Sequence, residues 1–422
     1  MTPARRWRAS VCGALAGLLI LTACGSSTGS GSTTTSDQSA GLTGSPIKIG
    51  LVASKTGFNS AQAGPTADTA DAWARWVNSS GGIDGHPVQV LLRDSAATPA
   101  TGQSVVKDLV ENQDVSAVMV NDVSVEAAVS DYLQSHNVPV IESLGYDVTS
   151  WGVRPNYFMT ATTDTVMQAS YAISAADAHA KAISLAACAE APNCVQAGMT
   201  VQQAAPSLGV TYNGLVKVSA SQPSFTAECL NFIQKKTDFI AMALVFAGTG
   251  TRMVKDCLQQ GYSGTFGVSS GSVIGATLDE IPGAKYNGAL NAFPWWVDAP
   301  AVRQYRDVMA KYAPKVDMRN VWLTATWTGL QLFRKAVTGK AANGVTRQQV
   351  LEAYGSIKDE TLDGLLAQPI TFTAGKPAPR QPCFWIYSYN GGTGTPAAHQ
   401  EGRNGNGATG GLASSCYDGN AG

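Results

Sequence analysis

The sequence predicts an α/β protein of two domains, each built on a parallel sheet. Three observations lead there. Buried-strand runs alternate with helix-period runs from Ile47 to Ile141. The alternation resumes from Ala182 to Val268. The roughly 380 residues from Ile47 onward exceed what one hydrophobic core usually holds.

The elements follow in order. Ile47–Ala53 is a short apolar run bounded by turn formers, the pattern of a buried strand. Ser54–Gly64 reads as a loop. Pro65–Asn78 reads as a helix: Ala70, Trp73, Ala74 and Val77 recur at helical spacing, Pro65 suits a first turn, and Ser79–Gly82 ends it. Strands are expected at Val88–Leu92, Ala117–Val120 and Val138–Ile141, with helices at Thr101–Asn112 and Val125–Ser135 between them. The second series reads as strand Ala182–Ala187, helix Thr200–Leu208, strand Thr211–Val218, helix Phe225–Lys235, strand Phe239–Phe246, helix Thr251–Gln260 and strand Thr265–Val268. The tail, Gly391–Gly422, is rich in Gly, Asn and Ser and reads as loop.

The N-terminus reads as an export signal. Arg5, Arg6 and Arg8 precede the apolar run Val11–Leu21. That run is about 11 residues, well short of the roughly 20 that span a bilayer. Leu21-Thr22-Ala23-Cys24 resembles a bacterial lipobox. The resemblance implies a signal peptide over 1–23 and a diacylglyceryl thioether on Cys24, which anchors the chain to the extracytoplasmic face of the membrane. Residues 24–45, almost all Gly, Ser and Thr, cannot form a core and are expected to act as a flexible tether.

Charge is nearly balanced, −1 overall and −4 once the three leader arginines leave. No basic stripe exists to neutralise a phosphate backbone, so nucleic acid is excluded as a partner. Of the eight cysteines, Cys12 leaves with the leader and Cys24 is the lipidation candidate. An even number remains, which suggests disulfides in an exported chain. Sequence alone does not choose the pairing, but local order favours Cys188–Cys194, Cys229–Cys257 and Cys383–Cys416, each worth about 2–4 kcal/mol. There is no C-x-x-C, and His86, His136, His179 and His399 are scattered, so no metal and no cofactor is expected.

Three stretches then carry a resemblance. They are "IKIGLVASKTG", "ARWVNSSGGIDGHPVQVLLRDSAATP" and "VSAVMVNDVSVEAAVSDYLQSHNVPVIES". Their order and spacing resemble type I periplasmic binding proteins of the leucine/isoleucine/valine-binding group. "FIAMALVFAGTGTRMVKDCLQQGYSGTFGVSSG" is similar to the matching part of that family's second lobe. The resemblance spans roughly Pro46 to Asn390 and is loosest from Ser184 to Leu208. It implies two doubly wound lobes joined by three hinge crossings, near Phe158–Thr160, Leu290–Phe293 and Ile370–Phe372. Lobe 1 is then 46–158 with 291–370, lobe 2 is 159–290 with 371–390, and 391–422 is a tail. It also implies a monomer that captures a small solute (an amino acid, an amide or an organic acid) between its lobes and delivers it to the permease of an ABC importer.

The resemblance places candidate ligand-binding residues one by one. The loop after the first strand offers Phe58 and Gln62, with Ala63 where relatives often carry an aromatic. The loop after Val120 offers Asp122 and Ser124, the serine hydroxyl being the candidate for a ligand carboxylate. The loop after Ile141 offers Gly145 and Tyr146, the tyrosine standing where relatives have threonine. The second lobe contributes Glu190, Phe246, Ala247, Ser269 and Ser270. Trp295 and Trp296 follow a hinge and are expected to pack in the core. In amino-acid binders of this group an acid holds the ligand ammonium, and here that position is Ser270. A neutral hydroxyl cannot make that charge-assisted bond, so the ligand is expected to lack an amino group unless Asp122 or Glu190 compensates.

Two other readings exist. Gly267-Val268-Ser269-Ser270-Gly271 satisfies G-x-S-x-G, the nucleophile elbow of serine hydrolases. The chain order Ser, acid, His leaves only His399 downstream of Ser269, in a Gly-rich tail where a general base is poorly held. The other reading is a ligand sensor on the same fold without transport.

Overall fold

In a computed structural model of the chain the described residues are 41–57, 59–189, 192–244, 247–268, 279–392, 397–398, 404–409 and 412–417. The apolar run Ile47–Ala53 forms β1, buried on both faces in a four-stranded parallel sheet. Its neighbours are β2 (Val88–Asp94), β3 (Ala117–Asn121) and β4 (Val140–Glu142), in the order β2-β1-β3-β4. Ile47 stands beside Val88, and Ile49 beside Ala117. Continuous apolar strands of this kind are what a sheet covered by helices on both faces requires.

The covering helices are α1 (Ser60–Ser79), α2 (Pro99–Lys107) and α3 (Glu126–Ser135), followed by the single turn α4 (Val148–Trp151). Helix α2 runs on as a π-turn over Asp108–Asn112. Helix α1 starts five residues before the expected Pro65. The turn is already closed upstream of the proline, because Gln62 N and Ala63 N both donate to Asn59 O.

The second lobe begins with α5 (Asp164–Asp177) and β5 (Ala182–Cys188), and continues through α6 (Pro192–Ala204) and β6 (Thr211–Val218). Then come α7 (Thr226–Gln234), β7 (Phe239–Ala243), α8 (Ala247–Gln259), β8 (Thr265–Val268) and β9 (Lys285–Leu290). Strands β6-β5-β7-β8-β9 are parallel. Helix α6 starts at Pro192 rather than Thr200, and α8 at Ala247 rather than Thr251, where the small residues Ala-Gly-Thr-Gly give no hydrophobic period.

The chain then returns to the first lobe as α9 (Pro300–Tyr312), α10 (Val321–Val337) and α11 (Arg347–Gly355). Strand β9 and these three helices were not assigned from the sequence. Helix α10 packs on α1: Trp73 Nε1 donates to Gln331 Oε1 at 2.9 Å, and the Trp76 and Trp327 rings stack at 5.6 Å. At Gly329 an added Cβ would stand 2.7 Å from Glu142 Cβ, so the glycine is what lets α10 reach β4.

Within the tail expected as loop, the described segments Ala397–Ala398, Asn404–Thr409 and Leu412–Cys416 are strands. Cys383–Asn390 forms β10, antiparallel to β9. The outer edge of β10 pairs with β11 (Ala397–Ala398) and β13 (Leu412–Cys416), and β12 (Asn404–Thr409) pairs with β13. A bare β10 edge would leave backbone groups unpaired. Cys416 stands directly opposite Cys383, and the two are bonded. Cys188–Cys194 and Cys229–Cys257 are bonded as well, so the pairing favoured by local order is the pairing found.

Three segments run side by side where the lobes meet. Phe158 N donates to Val140 O at 2.8 Å, Thr162 N to Asn291 O at 3.0 Å, and Thr163 N to Gln381 O at 3.3 Å. Before reaching Gln381, the chain pairs Ile370 with Glu360 and packs Phe372 against Phe158 and Tyr354.

Candidate ligand-binding cleft

In open α/β sheets the loops beyond the carboxyl ends of the strands face the binding crevice. In the first lobe those loops are tied to one another by buried polar side chains. Asp122, just past β3, is fully buried. Its Oδ2 accepts from Ser54 Oγ at 2.5 Å and from Ser95 Oγ, and its Oδ1 accepts from Ser124 N at 2.9 Å. One carboxylate thus clasps the loops after β1, β2 and β3, and both of its oxygens are committed to protein donors. Ser124 is different. Its Oγ is buried and has no partner among the described residues. It sits at the approach to α3, where helix N–H groups favour an anion.

The loop after β4 is held by two buried carboxyls. Glu142 Oε1 accepts from Ser143 N and Leu144 N, each at 3.1 Å, and Oε2 accepts from Thr160 N at 2.9 Å and from Thr160 Oγ1. Thr160 Oγ1 also lies 2.8 Å from Thr328 Oγ1 on α10. Glu142 therefore joins the β4 loop, the first interlobe segment and α10. Burial pushes its carboxyl up to about 7, against these hydrogen bonds, which pull it down. Glu126, in the first turn of α3, accepts from Ser143 Oγ at 2.5 Å. Burial pushes Glu126 well above the usual carboxyl range, and the nearby Asp147 and Glu142 add to the rise.

Gly145 has φ +73°, and an added Cβ would stand 3.1 Å from Thr162 O. Only glycine lets this loop lie against the first interlobe segment. The half-buried Tyr146 faces Trp322 across 6.0 Å between ring centroids. Asn320 caps α10 through Trp322 N at 3.1 Å, and its Nδ2 donates to Gln62 O at 2.9 Å. Asn320 and Trp322 were missed at the sequence level. The available signal was an Asn cap ahead of the apolar run Val321–Val337.

The second-lobe side is described only in part. Phe58, Glu190, Phe246, Ser269, Ser270, Cys24 and His399 lie outside the described residues, and Ala247 is the first residue of α8. Trp295 and Trp296 are half-buried against the core, with the Trp296 ring 5.7 Å from Tyr387.

A sequence model of the periplasmic binding proteins matches residues 46–393. The chain belongs to the periplasmic binding protein family. This binding protein also shares its fold with solved structures. A fatty acid ABC transporter substrate-binding protein from Thermomonospora curvata is 19% identical with a TM-score of 0.69, the match covering 85% of this chain and 92% of that one. A leucine-binding protein from Thermotoga maritima is 14% identical, with a TM-score of 0.67 and coverage of 84% and 97%. An R. palustris ABC transporter solute-binding protein in complex with 4-hydroxybenzoate is 16% identical, with a TM-score of 0.67 and coverage of 84% and 95%. No curated protein sequence matches significantly. The first lobe thus carries a buried, unpaired Ser124 hydroxyl close to the α3 N-terminus and an aromatic pair at Tyr146 and Trp322.

Proposed function

We propose that this binding protein is a lipid-anchored extracytoplasmic receptor. It captures a small organic carboxylate between its lobes and presents it to the permease of an ABC importer. The observation that carries the reading is Ser124 Oγ, a buried hydroxyl without a partner in the described structure. A buried hydroxyl left unpaired costs about 1–3 kcal/mol, and a carboxylate at the α3 N-terminus would remove that cost. Asp122, Glu142 and Gly145 act as positioning residues. Ser270 supplies no charge for an ammonium, which favours a fatty or aromatic acid over leucine, isoleucine or valine. Structural relatives include fatty-acid, 4-hydroxybenzoate and leucine binders, so the fold accommodates all three.

The lobes are drawn as 46–158 with 291–372 and 159–290 with 383–417. The third passage is taken through 373–382 rather than Ile370–Phe372, because Phe372 packs on Tyr354 of α11. The anchor is Cys24, held through the 24–45 tether, and the receptor is monomeric. Lipid addition predicts a mass gain on the Cys24 peptide that Cys24→Ala abolishes.

The test is a thermal-shift screen of the mature chain followed by calorimetry. Its ligands are leucine, isoleucine, valine, 4-hydroxybenzoate and a long-chain fatty acid. A carboxylate without an amino group is expected to raise the melting temperature by mass action. Sub-micromolar binding of leucine, isoleucine or valine would refute the ligand class. The receptor performs no chemistry, so ester turnover is expected to be equal in the parent and in Ser269→Ala.

A further inference from the structure

Arg319 lies on the first lobe, two residues before α10, and its guanidinium is fixed from its own loop. Nε donates to Asp317 Oδ1 at 2.8 Å and Nη2 to Asp317 Oδ2 at 2.9 Å, a bidentate fork. The remaining arm, Nη1, crosses to the second lobe and donates to Asp279 Oδ2. Asp279, between β8 and β9, is held in turn by Tyr389 OH on β10, which donates to its Oδ1. Both carboxylates and the guanidinium are partly buried. Among the described residues this is the only ion pair that joins the two lobes.

We propose that Arg319 and Asp279 form an interlobe latch, a pre-oriented charge pair that holds the two lobes at the closure seen here. Each partner is aimed before contact, Arg319 by Asp317 and Asp279 by Tyr389, so little side-chain freedom is lost when they meet. The latch connects directly to the solute loops. The next residue, Asn320, holds Gln62 O, and Trp322 packs on Tyr146. The latch residue on the first lobe therefore adjoins two walls of the site. The inference rests on the reading of the chain as a two-lobed receptor that closes on its solute.

The test uses the solute-free mature chain and small-angle X-ray scattering. The variants are Arg319→Met, which keeps the apolar stem, Asp279→Asn, Tyr389→Phe, and the double variant Arg319→Met/Asp279→Asn. The latch predicts that each charge-removing single variant raises the radius of gyration by about 1 Å over the roughly 21 Å of a compact chain this long. The double variant should open no further than either single one. Parent protein should open in about 1 M salt, where the screening length falls to about 3 Å, and Arg319→Met should not respond. An unchanged radius in the variants, or additive opening in the double variant, would overturn the latch. If Arg319→Met fails to fold, Asp279→Asn and Tyr389→Phe carry the same test from the other lobe. Solute capture is read separately by thermal shift. Variants that open while no compound binds would sink the receptor reading and leave the latch standing. Compounds that bind while the lobes never open would do the reverse.

Discussion

The fully buried Glu142 makes the stability of the first lobe depend on pH. Glu142→Gln keeps the shape of the side chain and removes its ionisation. Burial raises the folded carboxyl from 4.5 to about 7. The folded pKa is above the unfolded one, so the native state holds the proton to higher pH. The associated stability is fully present below about 4.5 and is lost as pH rises through about 7. At ~1.4 kcal/mol per unit the gap corresponds to about 3 kcal/mol, of which roughly 2–3 kcal/mol falls between pH 5 and 8.

The assay is urea unfolding of the parent and of Glu142→Gln at pH 5, 6, 7 and 8. The parent should lose about 2–3 kcal/mol more than the variant across that range. The variant carries a constant offset, because a Gln amide nitrogen must face backbone or hydroxyl donors at Thr160, Ser143 or Leu144. That offset does not depend on pH and cancels when slopes are compared. Glu126 is shifted in the same direction, so the variant keeps some slope of its own, and Glu126→Gln/Glu142→Gln should flatten it further. Parallel curves for parent and Glu142→Gln, within about 0.5 kcal/mol over the range, would refute the argument.

Three further outcomes are expected. Cys229→Ala/Cys257→Ala, which opens a loop with sequence separation 28, should cost about 3–4 kcal/mol, and Cys188→Ala/Cys194→Ala, with separation 6, about 2 kcal/mol, both read by urea midpoints without reductant. Gly267→Ala should cost about 1–3 kcal/mol in the same assay, since the added Cβ would stand 2.3 Å from Phe239 Cε1 and 3.1 Å from Ala241 Cα. Ser124→Ala should leave the urea midpoint unchanged or raised, because it removes a buried hydroxyl that has no partner, and calorimetry should show carboxylate affinity falling at least about tenfold.

The strands were the most legible part of the sequence. Ile47–Ala53, Thr211–Val218 and Thr265–Val268 are found within the bounds their apolar runs predict. A central parallel strand must be apolar throughout, and that signal is local; the edge strand Thr211–Val218 is half-exposed and carries Asn213 and Lys217 among its apolar residues. Of the helices after β9, α9 carried a readable signal, with Val302, Tyr305, Val308 and Met309 at helical spacing behind Pro300, and α11 opened on a Thr346/Gln349 capping box, but α10 was not legible. Helix α10 is buried nearly all round, with Thr324, Thr326 and Thr328 on inward positions, so no polar face marks its period. The tail strands were hidden for the opposite reason. Asn404–Thr409 reads Asn-Gly-Asn-Gly-Ala-Thr, whose strand state comes from pairing with β13 and from the Cys383–Cys416 bond rather than from its own residues.

The site divides along the same line. The loops that face the crevice could be placed from the sequence, because each follows an apolar strand. What each polar residue does there could not. Asp122 and Ser124 sit two apart in one loop; both are ligand candidates by sequence, with the Ser124 hydroxyl the one expected to meet a carboxylate. Their roles separate only through partners distant in the chain. Ser54 and Ser95 take up one oxygen of Asp122, and the Ser124 amide takes the other. That clasp sets the loop in place and leaves the Ser124 hydroxyl without a partner, as Asn121 Oδ1 also is. If Asp122 acts only by positioning the loop, removing the clasp should weaken capture without any contact between Asp122 and solute. Asp122→Asn keeps one acceptor for the Ser124 amide but places an NH2 against two hydroxyls that can turn to accept. It should lower affinity less than Asp122→Ala, which frees the loop entirely. A direct ligand contact at Asp122 predicts equal losses from the two substitutions, so calorimetry on the pair decides between a positioning residue and a binding one.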